Sequence, residues 1–485
     1  MFRDRRILRL ITALVSSPLL FVAVAPAGAA EVTQQAKPDP RFGLNQAWEN
    51  GTAADTAGAG WSRLTFWWSA FEPNGPTPPS SSSEAPPPIT KSTPNGWNYF
   101  ATDNDSYIKA ELGRGRELAG VVLNVPRWAG TTPSPGAVPK GLYLPYDSPE
   151  NYWGQFMKQL AKIYAGRIDR WIIWNEVDIP SGQWATWDGS VQDYVQLMKV
   201  AYQAVKAGNP RAQVAHYGSP WWYDHGEYLS HFLDLVAADP EAPAHNYFFD
   251  IGDLHLYSRA ADIAKIIPWY RDQLAQRGIP PKPIMIGETN AIPYDDPIWP
   301  ADKAGFRVSQ DEQASYLVES MATYVALGVE RVGINRLLDG EDFKAGGEPF
   351  GLLRNDGSKR PAYTAFEVAA RYFAGAQPAT YQPPGSDGVT VVTMNLPGQR
   401  ISVAWTLKPN PASVTIEPIS SAGLLVGKFG NSQPVQPDTD GLYRFDLTGA
   451  TANSNETDPL DYVVGGNPLI LIERTDGTPP NPLAI

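Results

Sequence analysis

The sequence predicts an α/β protein, a (β/α)8 TIM barrel followed by a small C-terminal antiparallel β-sandwich. Between about residues 41 and 375, short apolar runs alternate with helix-like stretches, which is typical of β–α units around a parallel sheet. Eight such runs can be counted, and eight strands close this kind of barrel. Beyond residue 375, β-rich segments follow one another with no amphipathic helix between them.

The predicted barrel strands are short apolar segments bounded by polar or turn residues. They cover residues 42–44, 62–66, 118–123, 170–174, 213–216, 251–256, 283–287 and 331–334. An open doubly wound sheet is the alternative arrangement. The barrel is favoured because no glycine-rich phosphate-binding turn follows the first strand.

Helices are predicted between the strands. Apolar side chains at Tyr152, Phe156 and Leu160 recur at helical spacing before the fourth strand. Ser309 followed by Glu312 is a capping box, which predicts a helix that begins there and stops at Gly328.

The chain is predicted to contain two domains, a barrel over residues 38–375 and a sandwich over residues 376–485. The predicted sandwich strands cover residues 389–395, 400–407, 413–417, 423–428, 443–447 and 468–473. A Pro/Ser-rich insertion at residues 73–96 follows the second barrel strand, and its composition predicts a loop. This loop is either a flap over the active-site face of the barrel or a surface insertion without function.

The N-terminus predicts export. Four arginines within the first nine residues precede an apolar stretch over residues 10–25, and Ala27-Gly28-Ala29 offers a cleavage pattern of small residues. A retained membrane anchor is the alternative, but Ser16, Ser17 and Pro18 interrupt a stretch that is short for a span. We therefore expect a signal peptide over residues 1–29 and a secreted or periplasmic bacterial protein.

Composition excludes several classes of function. The chain of 485 residues has no Cys, which excludes a disulfide framework, a thiol nucleophile and thiolate zinc sites. Its net charge of −12 argues against nucleic acid or an anionic membrane as partner. The five His are scattered without metal-ligand spacing, and no Gly-x-Ser-x-Gly motif occurs. We expect a monomer that needs no metal or cofactor.

Two predicted strands end in a glutamate. The fourth runs through Trp174 into Asn175-Glu176, and the seventh runs through Gly287 into Glu288. Barrel enzymes place catalytic groups where strands end at the C-terminal face, and two facing carboxylates suit glycoside hydrolysis. Two structural glutamates that cap helices or pair with Arg are the alternative interpretation.

With these motifs, the barrel resembles the retaining β-glycosidases of glycoside hydrolase clan A. It is most similar to family 39, with family 5 as the nearest rival. The resemblance covers about residues 41–375, and a terminal sandwich also suits family 39. It implies that Glu288 is the nucleophile and Glu176 the acid/base, with the pKa of Glu176 raised and that of Glu288 lowered by their surroundings.

The resemblance also implies further substrate-binding and positioning residues. Arg63 matches the Arg near the nucleophile, although a purely structural ion pair remains open for it. His255-Leu256-Tyr257 matches the sixth-strand motif whose Tyr bonds the nucleophile, although His255 alone is equally consistent with a core residue. Asn175 is expected to bind the sugar 2-hydroxyl. Asn124 and Trp128 match a stretch after the third strand.

The eighth strand departs from the family pattern. It reads Ile334-Asn335-Arg336 and lacks the Trp that normally floors the subsite at the cleavage point. Either Trp299 or another Trp takes the place of this residue, or Asn335 and Arg336 hold the sugar instead. Because Arg336 is positively charged, an acidic or otherwise modified sugar is an alternative substrate. Ten of the 16 Trp fall at or beyond strand ends and are predicted to form a sugar-binding surface, namely Trp48, Trp67, Trp68, Trp128, Trp174, Trp184, Trp187, Trp221, Trp222 and Trp299.

The predicted function is a secreted retaining β-glycoside hydrolase that cleaves a polysaccharide or oligosaccharide by double displacement. Endo-acting cleavage of an exopolysaccharide is one form of this prediction, and exo-acting β-xylosidase-like or family 5-like β-glucanase activity is the alternative. From a different class, a non-catalytic carbohydrate-binding protein would keep a Trp-rich mouth but would not need both glutamates.

Overall fold

The structure is a computed structural model that describes residues 38–73, 75, 99–180, 182, 185–221, 223–299, 301, 307–340, 348–451, 464–483 and 485. The predicted signal peptide at residues 1–29 and nearly all of the insertion at 73–96 lie outside the described residues. Among the described residues, no helix combines the length and apolar character that crossing a bilayer requires.

Eight parallel strands form the barrel, and each lies where the sequence predicts one. They are β1 (Phe42–Asn45), β2 (Trp61–Trp67), β3 (Glu117–Leu123), β4 (Arg170–Ile173), β5 (Gln213–Ala215), β6 (Gly252–His255), β7 (Ile284–Thr289) and β8 (Arg331–Ile334). The strand order is β5-β4-β3-β2-β1-β8-β7-β6. A parallel bridge between Ala215 and Ile251 joins β5 to the start of β6, and the two-residue strand Ser219–Pro220 also pairs with β6. The sheet therefore closes on itself.

Helices surround the barrel in the described residues. They are α1 (Gly51–Ala57), α2 (Trp68–Phe71), α3 (Tyr99–Gly113), α4 (Tyr152–Ile163), α5 (Val191–Gly208), α6 (Glu227–Ala238), α7 (Ala260–Gln276), α8 (Gln310–Ala326) and α9 (Pro361–Tyr372). Two 3-10 segments, Ala47–Asn50 and Ala242–Phe248, and the short strands Ile292–Pro293 and Arg307–Val308 complete this region. The predicted capping box of α8 is confirmed, since Ser309 and Glu312 bond each other's backbone N–H groups.

The C-terminal region is an antiparallel β-sandwich of two sheets. Its strands are β9 (Gln377–Gln382), β10 (Val389–Leu396), β11 (Gln399–Thr406), β12 (Ala412–Ile416), β13 (Gly423–Gly427), β14 (Ser432–Val435), β15 (Tyr443–Leu447) and β16 (Leu469–Arg474). One sheet has the order β9-β10-β11-β16-β13-β14, and the other pairs β12 with β15. The predicted fold class is thus confirmed.

Side-chain alternation assigns the two faces of the larger sheet. On β11, Ile401, Val403 and Trp405 join the core cluster that continues into the barrel, whereas Ala404 joins a smaller cluster with the two-stranded sheet. Helix α8 is buried from Glu312 to Val325, because the barrel covers one side and the larger sheet the other. Barrel and sandwich therefore share one continuous core.

Candidate active site

The two predicted glutamates lie together at the C-terminal end of the barrel. Glu176 follows β4 by three residues, and Glu288 is the fifth residue of β7. One carboxylate oxygen of each and a ring nitrogen of His255 all lie within 4.8 Å of one another. Both carboxylates are half-buried, with side chains 18% and 15% exposed. They are close enough to act on one bond and open enough to reach a ligand.

The turn after β4 has an unusual backbone. Trp174 and Glu176 adopt left-handed conformations with φ of 72° and 47°, which are uncommon for residues other than glycine. The Trp174 indole donates to the Thr186 carbonyl at 3.0 Å, and the Thr186 hydroxyl donates to the Asn175 carbonyl. These contacts fix the turn that presents Asn175 and Glu176.

Glu288 is surrounded by donors. Arg63 of β2 forms an ion pair with its Oε1, and the Tyr257 hydroxyl donates to its Oε2 at 2.5 Å. The Asn335 amide donates to the Tyr257 oxygen at 2.9 Å. Burial opposes ionisation, but the positive charges of His255 and Arg63 and these hydrogen bonds outweigh it, so the pKa of Glu288 lies below its ordinary value.

Arg63 also connects the two strand ends. Its second guanidinium nitrogen donates to Asn175 Oδ1 at 2.6 Å while the first binds Glu288. The planar fork of an Arg side chain allows both contacts at once. The Asn175 amide oxygen is thereby occupied, and its NH₂ group is left to serve as the donor toward a ligand.

His255 is the partner of Glu176. Its Nδ1 lies 2.7 Å from Glu176 Oε1 and 3.8 Å from Glu288 Oε1, and the ring is fully buried. Burial disfavours the charged imidazolium, but the carboxylates of Glu288 and Glu176 outweigh this penalty and raise the pKa of His255. A protonated His255 can therefore donate to Glu176.

Asp253 completes the group and was missed by the sequence analysis. Its Oδ1 accepts the Gly287 N–H at 2.8 Å, and its Oδ2 lies 4.0 Å from His255 Nε2. Burial raises the pKa of Asp253 to about 6, although the charges of His255 and Arg63 oppose the shift. Alternation along β6 could have revealed it, because residues two apart face the same side of a strand.

Glu176, His255 and Glu288 also form the one cluster of three potential metal ligands among the described residues. In the structure these ligand atoms are engaged with Arg63, Tyr257 and one another. Such a set of contacts suits proton transfer and charge stabilisation. The expectation that no metal is needed stays a prediction.

The loops after β1, β2 and β3 carry three more predicted residues. The half-buried Trp48 stacks on Tyr107 with ring centroids 4.1 Å apart. Asn124 has φ of 66°, and its carbonyl accepts the Ser69 N–H at 2.9 Å. The half-buried Trp128 donates from its indole to the Glu72 carbonyl at 2.6 Å. All three lie on the face that carries the glutamates, and their contact with a sugar stays a prediction.

The remaining two predicted residues follow β7 and β8. The Trp299 backbone N–H bonds Asp296 at 3.2 Å. Arg336 forms an ion pair with Glu49, so its charge is balanced inside the protein. Their role in binding a sugar stays a prediction.

The prediction of a ten-tryptophan surface is wrong for three of its members. Trp68 and Trp174 have no exposed surface and Trp187 is 6% exposed. The indoles of Trp68 and Trp174 bond Glu72 and Thr186, and all three rings pack within aromatic clusters. A buried indole face cannot stack on a sugar. Trp184 and Trp222 lie outside the described residues.

Comparison with solved structures shows glycoside hydrolases of similar fold. A family 39 glycoside hydrolase from Bacteroides cellulosilyticus superposes with a TM-score of 0.62 at 16% identity, covering 90% of this chain and 81% of that chain. A family 30 endoxylanase from Clostridium papyrosolvens gives 0.56 at 13% identity and coverages of 90% and 97%. A β-xylosidase from Caulobacter crescentus gives 0.54 at 12% identity and coverages of 90% and 97%.

Neither a family model nor a curated protein sequence matches the chain. The structural similarity therefore concerns the fold, and at that level it agrees with the resemblance to family 39 glycoside hydrolases. Family 30, which the sequence analysis did not name, shares this fold similarity.

Proposed function

We propose that the protein is a retaining β-glycoside hydrolase. The observation that carries this proposal is the pair of carboxylates, Glu176 and Glu288, whose oxygens lie within 4.8 Å. Retaining glycosidases hold their two carboxyl groups about 5–5.5 Å apart, whereas inverting enzymes need about 6.5–9.5 Å for a water molecule. The fold shared with glycoside hydrolases supports the same conclusion.

Glu288 acts as the nucleophile. A Glu288 oxygen attacks the anomeric carbon, the bond from that carbon to the glycosidic oxygen breaks, and its electron pair stays on the departing oxygen. Arg63 and Tyr257 keep Glu288 ionised before the attack. They also orient its carboxylate, since each of them holds one of its two oxygens.

Glu176 acts as the acid and then as the base. Its carboxyl proton passes to the departing oxygen as that bond breaks. A water then attacks the anomeric carbon and gives a proton to Glu176, and the bond to Glu288 breaks to regenerate the carboxylate. His255 Nδ1, 2.7 Å away, stabilises the charge that alternates on Glu176. The Asn175 NH₂ group donates to a hydroxyl beside the reacting carbon.

Export and endo-acting cleavage of an exopolysaccharide complete the proposal. The basic, apolar and small-residue segments of the N-terminus support export to the periplasm or medium. Digestion of a glycan panel followed by product sizing separates the two modes of action. A ladder of oligosaccharides supports endo action, and release of monosaccharides alone supports the exo-acting alternative.

Two alanine variants test the assigned roles. We expect Glu288→Ala to abolish hydrolysis of aryl β-glycosides, because no covalent intermediate can form. We expect Glu176→Ala to lower kcat by roughly 10²- to 10⁴-fold on substrates with poor leaving groups. Sodium azide should partly restore the second variant, because azide needs no base and fits the space of the lost carboxylate.

The controls are the wild-type protein and Glu417→Gln, which changes an exposed glutamate of the sandwich. Full hydrolysis by Glu288→Ala would refute the mechanism. Sugar binding by a wild-type protein that shows no turnover on the panel would favour the non-catalytic alternative.

A further inference from the structure

The residues that directly follow β8 are already engaged by protein partners. The Asn335 amide donates to Tyr257, and Arg336 is paired with Glu49. A pyranose in a glycosidase subsite needs an apolar surface for its C–H face as well as polar partners for its hydroxyls. A side chain other than these two must supply that surface.

Phe350 lies beside the nucleophile. Its ring centroid is 5.1 Å from that of Tyr257 at an angle of 41°, and Tyr257 bonds Glu288 through its hydroxyl. Phe350 is half-buried, so part of the residue is accessible from outside the protein. Phe350 therefore packs against a residue that bonds Glu288 directly.

The backbone of Phe350 is fixed to the nucleophile strand. Asn290, fully buried two residues after Glu288, donates from its amide to the carbonyls of Phe350 and Asn335, both at 2.7 Å. The Leu352 N–H also bonds the Arg336 carbonyl at 3.0 Å. A ring held this way needs little ordering when a ligand binds.

We propose that Phe350 is the apolar floor of the subsite at Glu288. The proposal rests on the proposed glycosidase function and names a residue that binds the sugar at the reacting carbon. The Phe350 ring packs against the C–H face of the pyranose.

Kinetics with 4-nitrophenyl β-xyloside and β-glucoside test the role of Phe350. We expect Phe350→Ala to raise KM by roughly 10- to 100-fold with an unchanged pH profile, and Phe350→Trp to recover most of the loss. Phe429→Ala, which truncates an exposed ring of the sandwich, is the matched control.

Binding of xylotetraose and cellotetraose in a Glu288→Gln background separates this proposal from the proposed function. Weaker oligosaccharide binding after Phe350→Ala supports the proposed role of Phe350, whether or not the wild-type protein shows turnover. A lack of turnover by the wild-type protein would overturn only the glycosidase assignment. Unchanged binding and unchanged KM would overturn the role of Phe350.

Discussion

Glu176 and Glu288 lie together at the C-terminal end of the barrel but have different partners. Glu288 receives an ion pair from Arg63 and a hydrogen bond from Tyr257, whereas Glu176 faces His255. Two carboxylates take opposite roles when their surroundings separate their proton affinities. The donors around Glu288 favour its ionised form.

We expect Tyr257→Phe to lower kcat/KM by roughly 10- to 100-fold, because a hydrogen bond to a charged group is lost. Without that bond the pKa of Glu288 rises, so the acidic limb of the pH–rate profile moves to higher pH. The measurement is kcat/KM for an aryl β-glycoside across about pH 4 to 8, the range in which carboxylates and imidazoles titrate.

Tyr316→Phe is the matched control for that variant. Its hydroxyl lies 2.7 Å from Thr289 Oγ1, on the residue after Glu288, and Tyr316 is fully buried. The assigned role of Tyr257 would be contradicted if the acidic limb of the pH–rate profile stayed in place in Tyr257→Phe. It would also be contradicted if this limb moved equally far in Tyr316→Phe.

Single residues differ in how well a sequence predicts their surroundings. Glu176 and Glu288 could be recognised because apolar strands lead into them and parallel strands end on one face. Trp174 could not be placed correctly, because its left-handed backbone turns the indole toward Thr186. The sequence around Phe350 gave no indication of its position, since its contact with Tyr257 depends on a loop that returns to the end of β7.

At the scale of elements, close packing against β6 holds His255 in place. A Cβ atom added at Gly218 would lie 1.8 Å from His255 Nε2, and one added at Gly287 would lie 2.7 Å from Asp253 Oδ1. Real Cβ atoms do not approach so closely, so any side chain at either position must displace its neighbour. Glycine is therefore required at both positions, because a larger residue does not fit.

We expect Gly218→Ala to lower kcat/KM on the order of 100-fold, because a displacement of His255 by about 1 Å disturbs its contact with Glu176. Gly113→Ala is the control, since no atom lies within 4 Å of a Cβ added at this position. Activity of Gly218→Ala within about twofold of wild type would show that His255 does not depend on this packing.

The two sandwich strands that the sequence analysis missed have little buried surface. Strands β9 and β14 lie at the two edges of the larger sheet, and most of their residues are exposed. Alternation between apolar and polar residues arises from burial of one face, so an edge strand without such a face leaves no pattern. The eight barrel strands are buried and were all predicted.

At the scale of the whole molecule, helix α8 joins the barrel to the sandwich through polar groups as well as apolar ones. The Lys428 ammonium group donates to Ser315 Oγ at 2.9 Å, and the Gly465 N–H donates to Glu319 Oε2 at 3.2 Å. Glu319 is fully buried. Burial raises its pKa well above the ordinary value, although the Gly465 N–H and the charge of Lys428 oppose the shift.

We expect the free energy of unfolding to fall less with rising pH in Glu319→Gln than in the wild-type protein. Because folding raises the pKa of Glu319, the folded state binds this proton more tightly than the unfolded state. Stability is therefore lost as pH rises from the unfolded to the folded pKa, by up to about 1.4 kcal/mol per pH unit. The measurement is the free energy of unfolding in urea at a series of pH values.

The exposed Glu417→Gln variant should reproduce the wild-type pH dependence of stability. If Glu319→Gln also reproduced it, Glu319 would be ionised in the folded protein, and the account of this interface would be wrong. Activity is not expected to change in either variant, since neither residue contacts the catalytic pair.

Covalent trapping tests the central claim most directly. An activated 2-fluoro β-glycoside forms a glycosyl-enzyme that a retaining hydrolase breaks down slowly, so mass spectrometry of a proteolytic digest locates the attached sugar. We predict one label per chain, on Glu288, and no label in Glu288→Gln. Turnover of ordinary glycosides together with no label, or with a label on another residue, would contradict the assignment of Glu288 as the nucleophile.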